Sequence, residues 1–283
     1  MQTETKRIRQ IWGAGRWFPG GREELQAAVN GYMDAASPPA VSGRIVAAIS
    51  PHAGYPYSGP VAGYTFRALR DAESRPATVV VLGFSHRGGF PGVALLDGDV
   101  LRTPLGDAAL DVDAARALAA GSDRIVEDAR PHQGEHSAEN QVPFVQAALP
   151  DARLVVGLIG DHREETLEEL VEGLRTLAER KSILVLASTD LLHDPDYELV
   201  SRTDRKTLEL IANLDDAALL RQWDYGNQIC CGIGPVVAAI RFAKTRGEAD
   251  GTLLHYRNSG DDHPESRGNW VVGYGAVVFA VSD

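Results

Sequence analysis

Four short apolar runs, separated by longer stretches with helical spacing, constrain this chain more than anything else in it. They are Ile45–Ile49, Thr78–Leu82, Leu154–Ile159 and Ile183–Ala187. Each is apolar on both faces, which is how strands read when helices cover both sides of a sheet. Val271–Val281 reads as a C-terminal strand, with Thr252–Ser259 as its partner. The intervening segments carry helix signals. Arg22–Met33 puts Leu25, Val29 and Tyr32 on one side, and Pro60–Ala72 and Pro235–Thr245 each open on a proline, favoured in a first turn. Asp111–Ala120, Gln141–Leu149 and Glu164–Arg180 complete the set, the last acidic early and basic late, as the helix dipole prefers. Alternation of this kind predicts an α/β fold with a central, mostly parallel sheet flanked by helices. The only Pro/Ser-rich candidate linker, Ala35–Gly43, lies too near the N-terminus to separate two domains. The expectation is one domain over residues 1–283, with a helical lead-in.

Composition removes several function classes. The formal net charge is -11, and acidic residues are spread along the chain without a Lys/Arg block. Nucleic-acid binding needs a basic stripe, so no nucleic-acid partner is expected. Cys230 and Cys231 are neighbours, and a ring between adjacent cysteines is strained. No disulfide framework is expected, which fits a reducing compartment. The segment MQTETKRIRQIWGAGRW lacks the apolar core of a signal peptide, and no run approaches a membrane span. A cytoplasmic, membrane-free protein is the expectation.

Three of the apolar runs stop at residues that bind metals or move protons. His52 follows the first, His86 follows the second, and Asp190 and His193 follow the fourth. In open α/β sheets ligands collect outside the carboxyl ends of the strands, so residues distant in sequence converge there. Two histidines and one anionic residue make an open catalytic metal site, with positions left for substrate or O₂. His52 and His86 supply the imidazoles, and Asp190 or a Cys231 thiolate supplies the anion. Cys231 precedes GIGP, a glycine turn into a helix whose N-terminus lowers a thiol pKa.

The segment HQGEHSAENQVPF places His136 and Glu139 beside Ser137, Asn140 and Gln141, a polar site wall or a helix cap. A single histidine after a strand is more often a hydrogen-bonded turn residue, Asp190 alone could cap the next helix, and Cys231 alone is more often a small buried apolar residue. The joint pattern carries the argument. His132, His162, His255 and His263 are assigned to surface or structural positions. HExxH, CxxC, GxxxxGK[ST] and GxSxG are all absent.

WGAGRWFPGGREEL, SPHAGYPYSGPVAGYTF, VLGFSHRGG, GEHSAENQVPF, STDLLHD and ICCGIGP stand in the order seen in the Memo family. Its prokaryotic members are labelled component B of the AmmeMemoRadiSam system. The resemblance runs from Trp12 to Phe279. It implies a fold similar to the class III extradiol dioxygenases. It also implies a metal, non-haem iron first and copper second, held by His52, His86 and Cys231. Cys231 takes the ligand position because it precedes Gly232. Asp190 and His193 would line the same pocket, and His136 and Glu139 match the EHSxE stretch. The chain departs in Phe84, where many relatives have proline, in Ser58, where some have cysteine, and in the additional Cys230.

Two functions of different kind follow. One is an iron-dependent oxidoreductase acting on a small molecule, with His193 as general acid/base, Asp190 orienting it or a water, and His136 touching substrate. The other is a non-catalytic protein that uses the pocket for a peptide, a partner or a metal for delivery. Radical-SAM pathway partners are expected for prokaryotic relatives. A zinc hydrolase is a third reading.

Overall fold

The computed structural model describes residues 6–282; the outermost residues of the predicted domain, 1–5 and 283, lie outside them. In chain order the strands are β1 (Ile8–Gln10), β2 (Arg44–Ser50), β3 (Thr78–Phe84), β4 (Val93–Leu95), β5 (Val100–Thr103) and β6 (Gly106–Ala109). They continue as β7 (Ile125–Glu127), β8 (Arg153–Ile159), β9 (Ile183–Ser188), β10 (His193–Asp194), β11 (Ala249–Asn258) and β12 (Val271–Val281). The helices are α1 (Arg22–Ala35), α2 (Tyr55–Asp71), α3 (Val112–Ala119), α4 (Val142–Ala148) and α5 (Glu164–Ala178). After them come α6 (Tyr197–Ala212), α7 (Asp216–Gln222), α8 (Ile233–Thr245) and the short α9 (Ser259–Asp262).

Nine strands make one sheet in the order β10-β12-β2-β9-β3-β8-β4-β7, with β11 paired to β12. Its centre, β2-β9-β3-β8, is parallel, as the doubly apolar runs require. Antiparallel neighbours extend it on both sides: β12 beside β2, and β4 beside β8. The sheet is therefore mixed, with a parallel heart. A separate three-stranded sheet, β1-β5-β6, stands apart from it.

Side-chain alternation divides the core into two layers. Val80, Leu82, Val185 and Ala187 face one cluster, closed by Leu118 of α3, Leu167 and Leu170 of α5 and the apolar face of α8. Val79, Val81, Leu184 and Leu186 face the other, closed by Leu25 and Val29 of α1, Phe66 of α2 and Phe144 of α4. The Phe66 and Phe144 rings stack at 4.8 Å, an arrangement worth about 0.5–1.5 kcal/mol beyond area burial.

Register sets the site. Ser50 is level with Ser188, and Leu82 with Ala187, so β2, β3 and β9 end together. Their following residues emerge at one edge. Helix α2 starts at Tyr55, five residues before the predicted Pro60. Pro60 instead sits inside the helix, where it forgoes the bond its N–H would have given to Pro56. Among the described residues no helix is long and apolar enough to cross a membrane.

Candidate metal centre

One nitrogen each from His52 and His86 and the Cys231 sulfur lie within 4.8 Å of one another. Three different elements bring them together. His52 follows β2 and His86 follows β3, while Cys231 stands two residues before α8. Cys231 is fixed against the end of β9: its N–H donates to the Asp190 carbonyl at 3.1 Å, and its sulfur accepts the Asp190 N–H at 3.2 Å. Gly232 makes the approach possible, since a Cβ there would stand 2.6 Å from the Ser188 carbonyl oxygen.

Both imidazoles are held in a fixed tautomer. Ser188 Oγ donates its one hydrogen to the Ser137 carbonyl at 2.5 Å and accepts from Gln141 Nε2 at 2.7 Å. Toward His52 Nδ1, 3.0 Å away, it can therefore only accept. Nδ1 carries the proton, and His52 Nε2 is left with its lone pair, 3.4 Å from the Cys231 sulfur. Glu135 does the same for His86. Its Oε1 is 2.9 Å from His86 Nδ1 and accepts the His136 and Ser137 N–H groups, while Oε2 accepts the His86 N–H at 2.7 Å. Burial would push Glu135 up, but His86 and these N–H donors outweigh it and bring its pKa down to about 2. An ionised Glu135 makes His86 Nδ1 a donor and frees Nε2. Metal-ligating histidines are oriented in this way by an oxygen partner on the other nitrogen.

Burial favours the neutral forms of His52 and Cys231. Burial first, then His86, holds the His52 pKa well below its ordinary value. Burial, with Asp190 behind it, pushes the Cys231 thiol well above its ordinary value. The expected lowering by the α8 N-terminus is therefore outweighed by desolvation. Deprotonation of this thiol calls for a nearby cation, such as a metal would be.

Asp190 is buried, and its Oδ1 accepts the N–H groups of His52 and Ala53 at 2.7 and 3.3 Å. It shapes the turn that presents His52 and stands outside the three-donor group. The N-cap of α6 is Asp196 instead. His193 begins β10, and its Nε2 is buried without a hydrogen-bond partner among the described residues. Burial lowers its pKa, with Asp190 opposing. His136 stacks flat on Trp17 at 3.8 Å and on His86 at 4.5 Å. Burial, then His52 and His86, brings its pKa down to about 3. Glu139 turns away to accept the N–H groups of Trp12 and Gly13, tying the N-terminal segment down. Burial raises it to about 7.

A cleft of about 310 Å³ opens at this site, lined by His86, Cys231 and His193 together with Phe84, Trp223 and Tyr225. That volume is at the lower end for a small-molecule pocket. His162, assigned in the sequence to a surface or structural position, also lines it, its ring edge-on to Trp223 at 4.7 Å. The rule that located His52 applies to it too, since it comes three residues after Ile159 at the end of β8. Glu135 and Ser188 also escaped the sequence reading. His132 is structural: it is buried, and Nε2 donates to the Ala94 carbonyl at 3.0 Å.

The model of the Memo-like protein family matches residues 9–278. The MEMO1 family protein of Methanopyrus kandleri is 34% identical over 276 residues, covering 94% of this chain and 96% of the relative. That of Archaeoglobus fulgidus is 34% identical over 275 residues, covering 95% and 98%. The Pyrobaculum aerophilum protein is 31% identical over 281 residues, covering 96% and 99%. With the match spanning both layers of the core and every strand end that builds the centre, the chain belongs to the Memo-like family, whose fold is similar to that of the class III extradiol dioxygenases.

Proposed function

We propose that His52, His86 and Cys231 hold a transition metal, and that the protein is an oxidoreductase for a small molecule bound in the adjoining cleft. The observation that carries this reading is the pair of fixed tautomers. Two separate devices, Ser188 and Glu135, occupy the Nδ1 atoms and leave both Nε2 lone pairs free, that of His52 3.4 Å from the Cys231 sulfur. Two imidazoles and a thiolate suit iron, copper or zinc. Of these we take iron first. Once bound, such an ion supplies Lewis-acid and one-electron chemistry next to the cleft.

The chain's own residues do the rest. Phe84, Trp223 and Tyr225 give the cleft aromatic walls that bind a flat apolar body and displace water. His193, kept neutral by burial, is able to take a proton from substrate at a ring nitrogen, and Asp190 stabilises the charge that results. His136, sandwiched between Trp17 and His86, holds the His86 ring in plane. Glu135 and Ser188 hold the ligand tautomers.

The test is O₂ consumption by anaerobically purified, iron-loaded protein with a panel of small phenolic and carboxylic substrates. Uptake that depends on substrate and falls sharply in a His193→Gln variant supports the reading. Absence of uptake across the panel, combined with saturable binding of a peptide in the cleft, would replace it with a non-catalytic binding role.

A further inference from the structure

A buried hydroxyl outside the three-donor group stands directly behind the thiol. Thr189 is 1% exposed, and its hydroxyl uses both of its hydrogen-bonding directions on the segments that meet behind Cys231. It donates to the Asp190 carbonyl at 2.7 Å and accepts the Gly232 N–H at 2.8 Å. The Asp190 carbonyl also accepts the Cys231 N–H. The two peptide groups flanking Cys231 are thus tied to consecutive residues of one loop, Thr189 and Asp190. The sulfur itself is 3.7 Å from the Thr189 oxygen and 3.2 Å from the Asp190 nitrogen. Close packing leaves no room for a water to substitute: a Cβ on Gly232 would meet Thr189 Cβ at 2.9 Å and its hydroxyl oxygen at 3.0 Å.

We infer that Thr189 is a positioning residue for the Cys231 sulfur: through its clamp on Gly232 and Asp190 it sets where the thiol stands relative to the His52 nitrogen. This rests on the proposed metal role of Cys231 but concerns a residue outside the ligand set. The thiol is 3.4 Å from His52 Nε2 only while the Gly232 peptide stays against β9. Loss of the hydroxyl orphans the buried Gly232 N–H, which then seeks water, and the Cys231 turn moves away from His52. Valine has the shape of threonine without the hydroxyl, whereas serine retains it.

The experiment compares the parent chain with Thr189→Val and Thr189→Ser by two readouts. The first is titration with cobalt(II), followed through the sulfur-to-cobalt charge-transfer band. Thr189→Val is expected to weaken cobalt binding about 10–100-fold, the usual range for loss of a supporting partner, and to shift the band, with Thr189→Ser close to the parent. The second readout needs no metal. Cys231 lines the cleft, so its alkylation by iodoacetamide, mapped by peptide mass, reports the freedom of the turn. Thr189→Val is expected to accelerate it about tenfold, the equivalent of one lost hydrogen bond, and Thr189→Ser to leave it near the parent rate. Parent-like cobalt binding, band and alkylation in Thr189→Val would overturn the inference. A Thr189→Ser variant with weakened cobalt binding and accelerated alkylation would also overturn it, even if the valine variant failed to fold. Failure of the parent to bind cobalt would count against the metal reading instead, and the alkylation series would still decide the role of Thr189.

Discussion

Two pairs of histidines stand in and behind the cleft, and they are held in opposite ways. His52 and His86 have Nδ1 tied to Ser188 and Glu135, so their rings cannot turn without breaking a hydrogen bond, fully buried at His52 and half-buried at His86. His162 and His193 each keep a buried ring nitrogen with no partner among the described residues, Nδ1 in the first and Nε2 in the second. Buried polar atoms are nearly always paired, so the cost of these two calls for a counterpart. A ligand must find fixed donors at one point in space, whereas a group that handles a substrate or its proton gains from having hydrogen-bonding capacity in reserve. Under the proposed function the fixed pair would serve an ion and the free pair whatever enters beside it.

The widest break in this comparison comes from removing a fixed ring. His52→Ala or His86→Ala is expected to reduce iron or cobalt uptake from near-stoichiometric to background, measured by elemental analysis. Either variant retaining full uptake would place the metal elsewhere. Next comes the device that fixes one ring. Glu135→Gln presents an NH₂ to N–H donors that need an acceptor. It is expected to weaken metal binding about 10–100-fold and to lower stability by about 1–3 kcal/mol through unsatisfied buried donors, read by urea unfolding.

Glu139 tests the margin of the site, where a carboxyl is buried without a metal role. Its folded pKa, about 7, lies above the ordinary value of 4.5. Between those values the folded protein keeps a proton that the unfolded chain has lost, so stability falls as pH rises from 4.5 to 7 and then levels. Glu139→Gln keeps an oxygen for the Trp12 and Gly13 N–H groups and removes the charge. The variant is expected to match the parent near pH 4.5 and to exceed it at pH 8 by on the order of 2 kcal/mol. Equal urea midpoints at both pH values would contradict this. The smallest effect belongs to the free pair. His193→Gln and His162→Gln should leave metal content at the parent's level, and a loss of metal in either would erase the distinction between the pairs.

Much of this arrangement is legible in the sequence. The central strands stand out because Val79–Leu82 and Leu184–Ala187 are buried from both sides, so no polar residue interrupts them. His52, His86 and Asp190 could be placed because strand ends converge in such sheets. The short strands β4 to β7 are hidden, since three or four residues between glycine and aspartate turns carry no period. Helix α6 is hidden by its charge: Val200, Leu208 and Ile211 form only a narrow apolar stripe. Glu135 is illegible for another reason. Nothing in EHS separates a carboxylate that takes four N–H groups from one that faces water, because two of its donors belong to His86 after β3, about fifty positions earlier. His162 was within reach of the strand-end rule.

The central claim is that a metal sits at the meeting point of the fixed nitrogens and the thiol. Its most direct test is the metal content of protein purified without oxygen, for the parent and for Cys231→Ser. The account predicts close to one iron, or one copper, per parent chain and little in the variant. Neither protein holding a metal, even after reconstitution with iron, copper and zinc in turn, would contradict it.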